Sequence, residues 1–323
     1  MKAFLRSCLT VALVTAMATA AAQSYPVKPV RLVVPYASGE SMDVTARMVA
    51  EKWSTALGQQ LVVDNRPGAS ALLGSEYVAK AAPDGYTLLY ANVGPLAISP
   101  SLYTKMPYDV TKDFAPLAQV ANLPFVLYVS PTLPVNSLKE FVDYVKARPG
   151  QLNYASIGTG GGLHLTAELL KSIVGIDIVH VPFKGTSQAV PEIIAGRVQM
   201  VCNTIPAFQP HVKSGRIKAL VVAATRRSAL LPEVPTAVEV GIPDFQASSW
   251  HGVVLPSGAP REVVAKLNQT LASVLSTPAF REQLIAQGAE PVESTPEEFA
   301  KFLRSDIEKW RKVIQSLGVK LDL

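Results

Sequence analysis

The sequence predicts an α/β protein with two lobes, and three observations support this prediction. Short runs rich in β-branched residues alternate with segments that have the apolar spacing of amphipathic helices, which is typical of mostly parallel sheets covered by helices. The alternation begins near Val30 and starts again after Ser130. With 323 residues, of which 49% are hydrophobic, the chain is long enough to bury two ordinary cores. We expect lobe 1 to comprise residues 23–124 plus 246–323, and lobe 2 to comprise residues 125–245.

The individual elements follow from these patterns. Strands are expected at residues 30–35, 61–64, 87–91, 125–130, 152–156, 177–181, 199–203, 219–224 and 253–255. Helices are expected at residues 44–57, 73–81, 138–147, 165–174 and 189–195. Near the end of the chain, Thr295, Pro296 and Glu298 match a capping box at the start of a last helix, and Gly318 matches its end. We expect this helix to pack on lobe 1.

Residues 1–22 have the layout of a secretory signal peptide. Lys2 and Arg6 precede an apolar run that ends in small residues. The run is shorter than the roughly 20 apolar residues needed to span a membrane. We therefore expect cleavage after this segment and export of the mature protein. Cleavage would remove Cys8 and leave Cys202 alone, so the mature chain is expected to have no internal disulfide.

Composition argues against several kinds of partner. The formal net charge is +5, but the basic residues are scattered and form no arm interleaved with aromatic residues, so we expect no nucleic acid partner. The four histidines, His164, His180, His211 and His251, show no ligand spacing, and Cys202 has no neighbouring partner. No metal and no cofactor are therefore expected.

Two segments repeat one arrangement of strand, glycine-bearing loop and helix. A helix N-terminus carries about half a positive charge and several unpaired N–H donors, so each loop could hold a carboxylate. In the first loop (residues 36–43) we interpret Asp43 as the N-cap of the following helix. The second loop spans residues 157–164. Together they provide the candidate binding residues Tyr36, Ser38, Gly39, Glu40, Ser41, Met42, Asp43, Gly158, Thr159, Gly160, Gly161, Gly162 and His164.

Other interpretations of these loops remain open. Ser41 lies in a strand, turn and helix context that resembles a hydrolase nucleophile, although Asp43 replaces the final glycine of that motif. The second loop resembles a dinucleotide-binding turn, but Leu163 occupies the sixth position, and Asp177 lies at the start of the next strand instead of near its end. Both loops could also be tight turns without a ligand.

Motifs along the whole mature chain resemble the Bug family, the periplasmic solute-binding receptors of tripartite tricarboxylate transporters. The similar segments are YPVKP at 25–29, the loop at 35–43, LGQ at 57–59, DNRPG at 64–68, AKAAPDGYTL at 79–88, the glycine segment at 158–165, HVPFKG at 180–185, PHVKSG at 210–215 and LPEVPT at 231–236. Together they are more specific than either glycine loop.

The resemblance implies a non-enzymatic receptor with a two-lobed, type II-like periplasmic-binding-protein fold that closes around a small organic carboxylate. It implies that the two loops hold one carboxylate through backbone N–H groups and ordered waters. It also implies that a single chain hands the ligand to two membrane subunits, although some relatives serve in signalling instead. Further lining would come from Asn92, Phe183, Lys184, Gly185 and Asn203.

Two residues depart from the family pattern. Glu40 stands where a second glycine is common, and Asn203 where aspartate is frequent, so the identity of the ligand does not follow from the resemblance. Glu40 either turns outward to solvent or faces the cleft and pairs with a cationic or hydroxyl group of the ligand. Three other candidates also have structural interpretations: His164 could brace its loop, Phe183 could belong to the core and Lys184 could be a solvated surface charge.

Overall fold

The computed structural model of the protein describes residues 25–322, so the expected signal peptide lies outside the described residues. The strands in this range are β1 Val30–Val34, β2 Leu61–Asn65, β3 Thr87–Asn92, β4 Phe114–Asn122, β5 Phe125–Val129, β6 Asn153–Ser156, β7 Val179–Pro182, β8 Met200–Thr204, β9 Lys218–Val222, β10 His251–Pro256 and β11 Glu290–Pro291. The α-helices are α1 Ser41–Leu57, α2 Leu72–Ala79, α3 Ser99–Leu102, α4 Val110–Asp113, α5 Leu138–Lys146, α6 Gly162–Val174, α7 Thr186–Ile194, α8 Ile205–Lys213, α9 Arg261–Leu275, α10 Pro278–Ala286 and α11 Pro296–Leu317.

The strands form two sheets. The first has six strands in the order β11-β4-β10-β3-β1-β2, and the second has five in the order β7-β6-β8-β5-β9. In the first sheet β1 pairs in parallel with β2 and β3, whereas β10 runs antiparallel to β3 and β4. In the second, β6 is parallel to β7 and β8, whereas β5 is antiparallel to β8 and β9. The expectation of mostly parallel sheets is therefore wrong.

The antiparallel strands arise where the chain changes sheets. It passes from β4 into β5 through Leu123 and Pro124, and returns into β10 through residues 246–250. The two connections run side by side in opposite directions, because the Phe125 N–H donates to the Ala247 carbonyl (3.0 Å) and the Ser249 N–H donates to the Leu123 carbonyl (2.9 Å). Strands that continue directly from the other sheet need no crossover helix, so they need not run parallel to their neighbours. The strands of each sheet come from one of the two expected lobes, and the exact lobe boundaries stay a prediction.

The last helix, α11, begins and ends as its sequence signals predict. Thr295 and Glu298 form the reciprocal capping box, and Gly318 adopts a left-handed conformation (φ 64°) at the C-cap. The helix packs on β4 of the first sheet, as expected, and also touches α6 beside the second sheet. Buried Asp306 secures it by accepting a hydrogen bond from Trp250 Nε1 (2.7 Å). Across the described range, no helix combines the length and the hydropathy that a membrane crossing requires.

Candidate functional site

A cavity of about 450 Å³ lies between residues of the two sheets. Its wall on the side of the first sheet comes from the end of β1, the end of β3 and the turns that follow them. Its opposite wall comes from β5 and the second loop. The lining residues are Tyr36, Ser70, Asn92, Val93, Gly94, Ile98, Ser99, Leu102, Tyr103, Phe125, Ile157, Gly158, Thr159, Gly160, Gly161, Gly162, Leu163, Thr204 and Ser249.

The second loop presents the N-terminus of α6 to this cavity. The N-cap residue is Gly161, which has no side chain to cap the helix, and the first turn contains no acidic residue. Within residues 25–322, the amides of Gly161, Gly162 and Leu163 have no hydrogen-bond acceptor. The partial positive charge of the helix and these free N–H donors therefore face the cavity.

Glycine is required in this loop by its backbone conformation. Gly158 and Gly160 have φ values of 88° and 79°, a region that residues with a side chain rarely occupy. A Cβ atom on Gly160 would also lie 2.9 Å from Leu102 Cδ2 of the opposite wall. The loop can thus approach lobe 1 closely only because Gly160 has no side chain.

A buried histidine supports the same loop from below. The Gly160 N–H donates to His164 Nδ1 (3.1 Å), and the His164 side chain is 6% exposed. Burial lowers the pKa of His164, so its imidazole is neutral near pH 7. His164 does not line the cavity. The structure therefore places it as a brace of the loop, and direct contact with a ligand stays a prediction.

Asn92 at the end of β3 presents its amide to the cavity in a defined orientation. Its Oδ1 accepts hydrogen bonds from the Tyr36 hydroxyl (2.8 Å) and from the Gly94 N–H (3.1 Å). Because a backbone N–H can only donate, Oδ1 must face Gly94, which leaves the two N–H donors of Nδ2 for a ligand. Burial raises the pKa of Tyr36, so its hydroxyl keeps the proton that it donates to Asn92.

None of the lining residues carries a formal charge at neutral pH. Polar contacts can come from backbone amides, from the Asn92 amide and from hydroxyl groups, which include Ser70, Ser99, Thr159, Thr204 and Ser249. Apolar contacts come from Ile98, Leu102 and Phe125. Such a site can stabilise an anion through dipoles and hydrogen bonds without a permanent positive charge.

The first loop is arranged differently from the expectation. The N-cap of α1 is Glu40, and Asp43 is the third helical residue, so the prediction that Asp43 is the N-cap is wrong. The buried Asp43 carboxylate nevertheless accepts from the Gly39 N–H (2.9 Å) and from Arg47 Nε (2.9 Å), and its other oxygen accepts from Asn65 Nδ2 (2.8 Å). Burial acts to raise the pKa of Asp43, but these hydrogen bonds outweigh it and lower the pKa to about 2.

Most of the first loop lies away from the cavity. Tyr36 lines it, whereas Ser38, Gly39, Glu40 and Ser41 are exposed elsewhere and Met42 and Asp43 are buried. The exposure of Glu40 agrees with the outward alternative for its side chain. A contact between this loop and a ligand stays a prediction.

The four remaining candidates also lie outside the cavity wall. Phe183 packs against the apolar cluster of the second sheet, Lys184 is exposed and Gly185 is the N-cap of α7. Buried Asn203 accepts from the Thr204 N–H (2.8 Å) and donates to Thr186 Oγ1 (3.4 Å), which links β8 to α7. Their role in binding stays a prediction.

Sequence reasoning missed the hydroxyl groups of the cavity. Ser70, Tyr103, Thr204 and Ser249 come from four separate segments, and no periodicity connects them. The one available local signal is DNRPG at 64–68, whose glycine comes two residues before Ser70. Ser70 itself has a left-handed conformation (φ 53°). This turn brings the Ser70 hydroxyl within 3.1 Å of the Tyr103 hydroxyl.

The serine and histidine that meet in the structure do not form a catalytic pair. Ser41, the suggested nucleophile, is exposed and has no histidine partner among the described contacts. The close pair is Ser156 Oγ and His180 Nε2 (2.6 Å). Ser156 is fully buried, and its hydroxyl donates to the Gly158 carbonyl (3.0 Å), so it is not available to attack a substrate.

Comparison with known proteins identifies the family. Residues 45–319 match the family model described as the tripartite tricarboxylate transporter family receptor. The chain belongs to this family. It is also 37% identical over 305 residues to Protein BugT of Bordetella pertussis, a match that covers 94% of each protein. The resemblance to the Bug family is thus confirmed, and the chain is a solute-binding protein and not an enzyme.

Two solved structures with carboxylates are similar to this chain. Rpa4515 of R. palustris with adipate has a TM-score of 0.78 and 35% identity, and the match covers 93% of this chain and all of that one. MatC from Rhodopseudomonas palustris with bound malate has a TM-score of 0.73 and 34% identity, and the match covers 90% of this chain and all of that one. The two-lobed α/β fold is thereby confirmed.

Proposed function

We propose that this chain captures a small organic carboxylate in the cavity between its lobes and delivers it to the membrane subunits of a tripartite tricarboxylate transporter. One observation carries the proposal: the uncapped N-terminus of α6 opens into a neutral cavity lined by both lobes. Family membership and the adipate and malate found with two similar proteins support the class of ligand.

One carboxylate of the ligand binds at the start of α6. The amides of Gly161, Gly162 and Leu163 supply N–H donors, and the helix dipole adds a favourable field. A hydrogen bond to a charged group contributes roughly 1.5–3 kcal/mol. Two or three such bonds can offset much of the cost of desolvating a carboxylate without a lysine or arginine in the cavity.

The other end of the ligand faces Asn92. Its Nδ2 donors suit a second carboxylate or a hydroxyl group, and the neighbouring Ser70 and Tyr103 hydroxyls can donate or accept. Between the two polar ends, Ile98, Leu102 and Phe125 contact the carbon chain. A volume of about 450 Å³ lies within the range of sites for small metabolites.

Calorimetry on the purified protein tests the carboxylate assignment. The panel contains adipate, malate and the uncharged control dimethyl adipate. We expect at least one of the two acids to bind and the diester to bind at least a hundredfold more weakly, because the diester lacks the charge that the α6 amides stabilise. Equal affinity for acid and diester, or no binding of either acid, contradicts the proposal.

A matched pair of variants locates the carboxylate. Gly162→Pro removes one N–H donor at the first helical position, where proline is well tolerated, and Gly161 before it already has the extended conformation that proline requires (φ −72°, ψ 165°). Gly162→Ala adds a Cβ that meets only ordinary contacts of 3.7 Å and keeps the N–H. Loss of one such bond weakens binding by roughly 10- to 150-fold. We expect this loss for Gly162→Pro alone.

Cell fractionation and uptake measurements test export and delivery. The protein should be found in the periplasmic fraction as a single chain with its N-terminus near residue 23, because residues 1–22 have the signal-peptide layout. Deletion of its gene should abolish uptake of the acid that calorimetry identifies. Normal uptake without the protein argues for a signalling role instead of transport.

A further inference from the structure

Ser156, His164 and His180 form a polar cluster directly under the second loop, and we call them the loop-support cluster; Ser156 and His164 are buried and His180 is partly exposed. His164 Nδ1 accepts from the Gly160 N–H (3.1 Å). Ser156 Oγ lies 3.0 Å from the Gly158 carbonyl oxygen and 2.6 Å from His180 Nε2. The cluster therefore contacts the backbone at both positive-φ glycines of the loop that presents α6 to the cavity.

These contacts define one arrangement of protons. A backbone N–H can only donate, so His164 Nδ1 must be an unprotonated acceptor. The Gly158 carbonyl can only accept, so the single proton of the Ser156 hydroxyl is donated to it. His180 must then donate its Nε2 proton to Ser156 Oγ. The arrangement thus needs an acceptor at Nδ1 of His164 and a donor at Nε2 of His180.

The surroundings keep both imidazoles neutral. The His180 ring packs against the His164 ring (centroids 4.1 Å apart) and the Tyr154 ring (4.9 Å). The Tyr154 hydroxyl donates to Glu168, which also binds Lys171 (2.7 Å), so the carboxylate near the two rings is already paired. Buried Cys202 lies on β8, the strand next to that of Tyr154. Burial lowers the pKa of His180 to about 4, and the neighbouring His164 contributes. Burial also lowers the pKa of His164.

We infer that His164 and His180 are positioning residues for ligand binding, which hold the second loop so that the free amides of α6 face the cavity. The inference rests on the proposed function, because it concerns the carboxylate site at α6. Loops with several glycines lose much conformational freedom when they become ordered. A loop that is ordered before the ligand arrives avoids this loss on binding.

The position of the cluster distinguishes this role from ordinary core packing. When the hydrogen-bond partner of a core histidine is another side chain, both can be replaced together by apolar side chains of similar shape at little cost. Here the partners are two backbone groups of the loop itself, the Gly160 N–H and, through Ser156, the Gly158 carbonyl. Loss of either contact changes the loop that carries the ligand donors.

Two substitutions that place a polar atom at the position of either Nδ1 or Nε2 test the role of His164. His164→Asn keeps an acceptor near the position of Nδ1, whereas His164→Gln places its polar atoms at the position of Nε2. Both side chains are neutral and polar, so both variants should fold. We expect His164→Asn to bind adipate and malate within about threefold of the unsubstituted protein, and His164→Gln to bind at least tenfold more weakly.

The same two substitutions at His180 should have the opposite effects, because His180 bonds through Nε2 and His164 through Nδ1. His180→Gln keeps an N–H donor near the position of Nε2, whereas His180→Asn does not reach Ser156. We expect His180→Gln to retain binding and His180→Asn to lose at least tenfold in affinity. His211 on α8 is the matched control, because it contacts Arg216 away from the loop, and neither His211→Asn nor His211→Gln should change the affinity.

Amide hydrogen exchange of the free protein separates this inference from the proposed function. We expect the Gly160 amide to exchange at least tenfold faster in His164→Gln than in His164→Asn, as measured by NMR without ligand. If neither acid binds the unsubstituted protein, the proposed function fails, and the exchange rates still decide the positioning role. Equal Gly160 exchange in the two variants, or equal adipate and malate affinities where these bind, overturns the inference.

Discussion

The N-termini of α1 and α6 follow the same strand, loop and helix pattern but differ in the acidic side chains around them. At α1, the Asp43 carboxylate accepts the Gly39 N–H, and Glu40 adds a second negative charge at the N-cap. At α6, the N-cap is Gly161, and the first turn has no acidic residue. A carboxylate of the protein thus lies in the first turn of α1, whereas the first turn of α6 has none and faces the cavity.

This difference shows how two similar anion-binding motifs acquire different roles. An acidic residue near the start of a helix stabilises the helix and neutralises its positive end. Its absence leaves the positive end of the helix free to attract a ligand anion. We therefore expect the α1 loop to contribute mainly to folding and the α6 loop mainly to binding.

The largest effect is expected when the α6 loop is made to resemble the α1 loop. Gly161→Asp should fit, because Gly161 has an extended backbone (φ −72°) and a Cβ there meets nothing closer than 3.6 Å. Two negative charges about 4 Å apart repel by roughly 4 kcal/mol at an effective dielectric constant of 20. We expect adipate and malate affinity to fall by roughly a thousandfold, measured by calorimetry.

The same substitution should stabilise the free protein. Relative to glycine, a new N-cap carboxylate contributes a few tenths of a kcal/mol by capping and about 0.3–1 kcal/mol through the helix dipole, which urea titration can measure. Gly161→Asn is the control, since it can cap the helix without a charge and should reduce affinity far less. Undiminished binding by Gly161→Asp would show that the carboxylate binds elsewhere.

The next effect concerns Asp43 and the stability of the α1 loop. Its pKa of about 2 in the folded protein lies below its usual value of 3.8. A carboxyl group whose pKa is lower in the folded protein contributes stability at pH values above its pKa in the unfolded protein. This contribution is lost as the pH falls through its pKa in the folded protein. The difference corresponds to about 2 kcal/mol. Between pH 4 and pH 2 most of this Asp43 contribution should be lost, measured by urea titration as the difference in unfolding free energy between the unsubstituted protein and Asp43→Asn.

Asp43→Asn supplies the control for that pH dependence. It should be less stable at pH 7, because the pair with Arg47 is lost, and its stability should change less between pH 4 and pH 2. Its affinity for adipate and malate should remain within about threefold, since Asp43 does not line the cavity. A large loss of affinity in a folded Asp43→Asn protein would assign the α1 loop to the binding site.

A smaller effect is expected at the wall opposite α6. Asn92→Ala removes the Nδ2 donors and should weaken malate binding by about tenfold, the lower end of the range for hydrogen bonds to charged groups. Tyr36→Phe removes only the hydroxyl that donates to Asn92 Oδ1, so it should cost less, about threefold. Calorimetry on both variants checks this order, and the reverse order would identify Tyr36 as the direct contact.

The smallest effect is expected for Glu40. Its side chain is exposed and outside the cavity wall, so Glu40→Gln should change the affinities for adipate, malate and aspartate by less than about threefold. Selective loss of aspartate binding would show instead that Glu40 turns inward and pairs with the amino group.

Local sequence signals predicted those features that depend on neighbouring residues. The capping box of Thr295 and Glu298, the end of α11 at Gly318 and the glycine-rich start of α6 all involve contacts within a few residues. The role of Asp43 was predicted less well, because it does not depend on such local contacts alone. An acid at the start of a helix can be the N-cap or the third helical residue, and the partners Arg47 and Asn65 decide between them.

The sequence by itself determined the α/β class, the repeated strand, loop and helix units, and a family resemblance that comparison confirmed, because these depend on apolar periodicity and short motifs. Only the tertiary structure decided which helix N-terminus faces the cavity and which partners the Asp43 carboxylate has. It also decided the hydroxyl lining from Ser70, Tyr103, Thr204 and Ser249, and the support of the second loop by His180. These contacts join residues that are separated in the chain, so they form only when the strands pair and the two sheets pack.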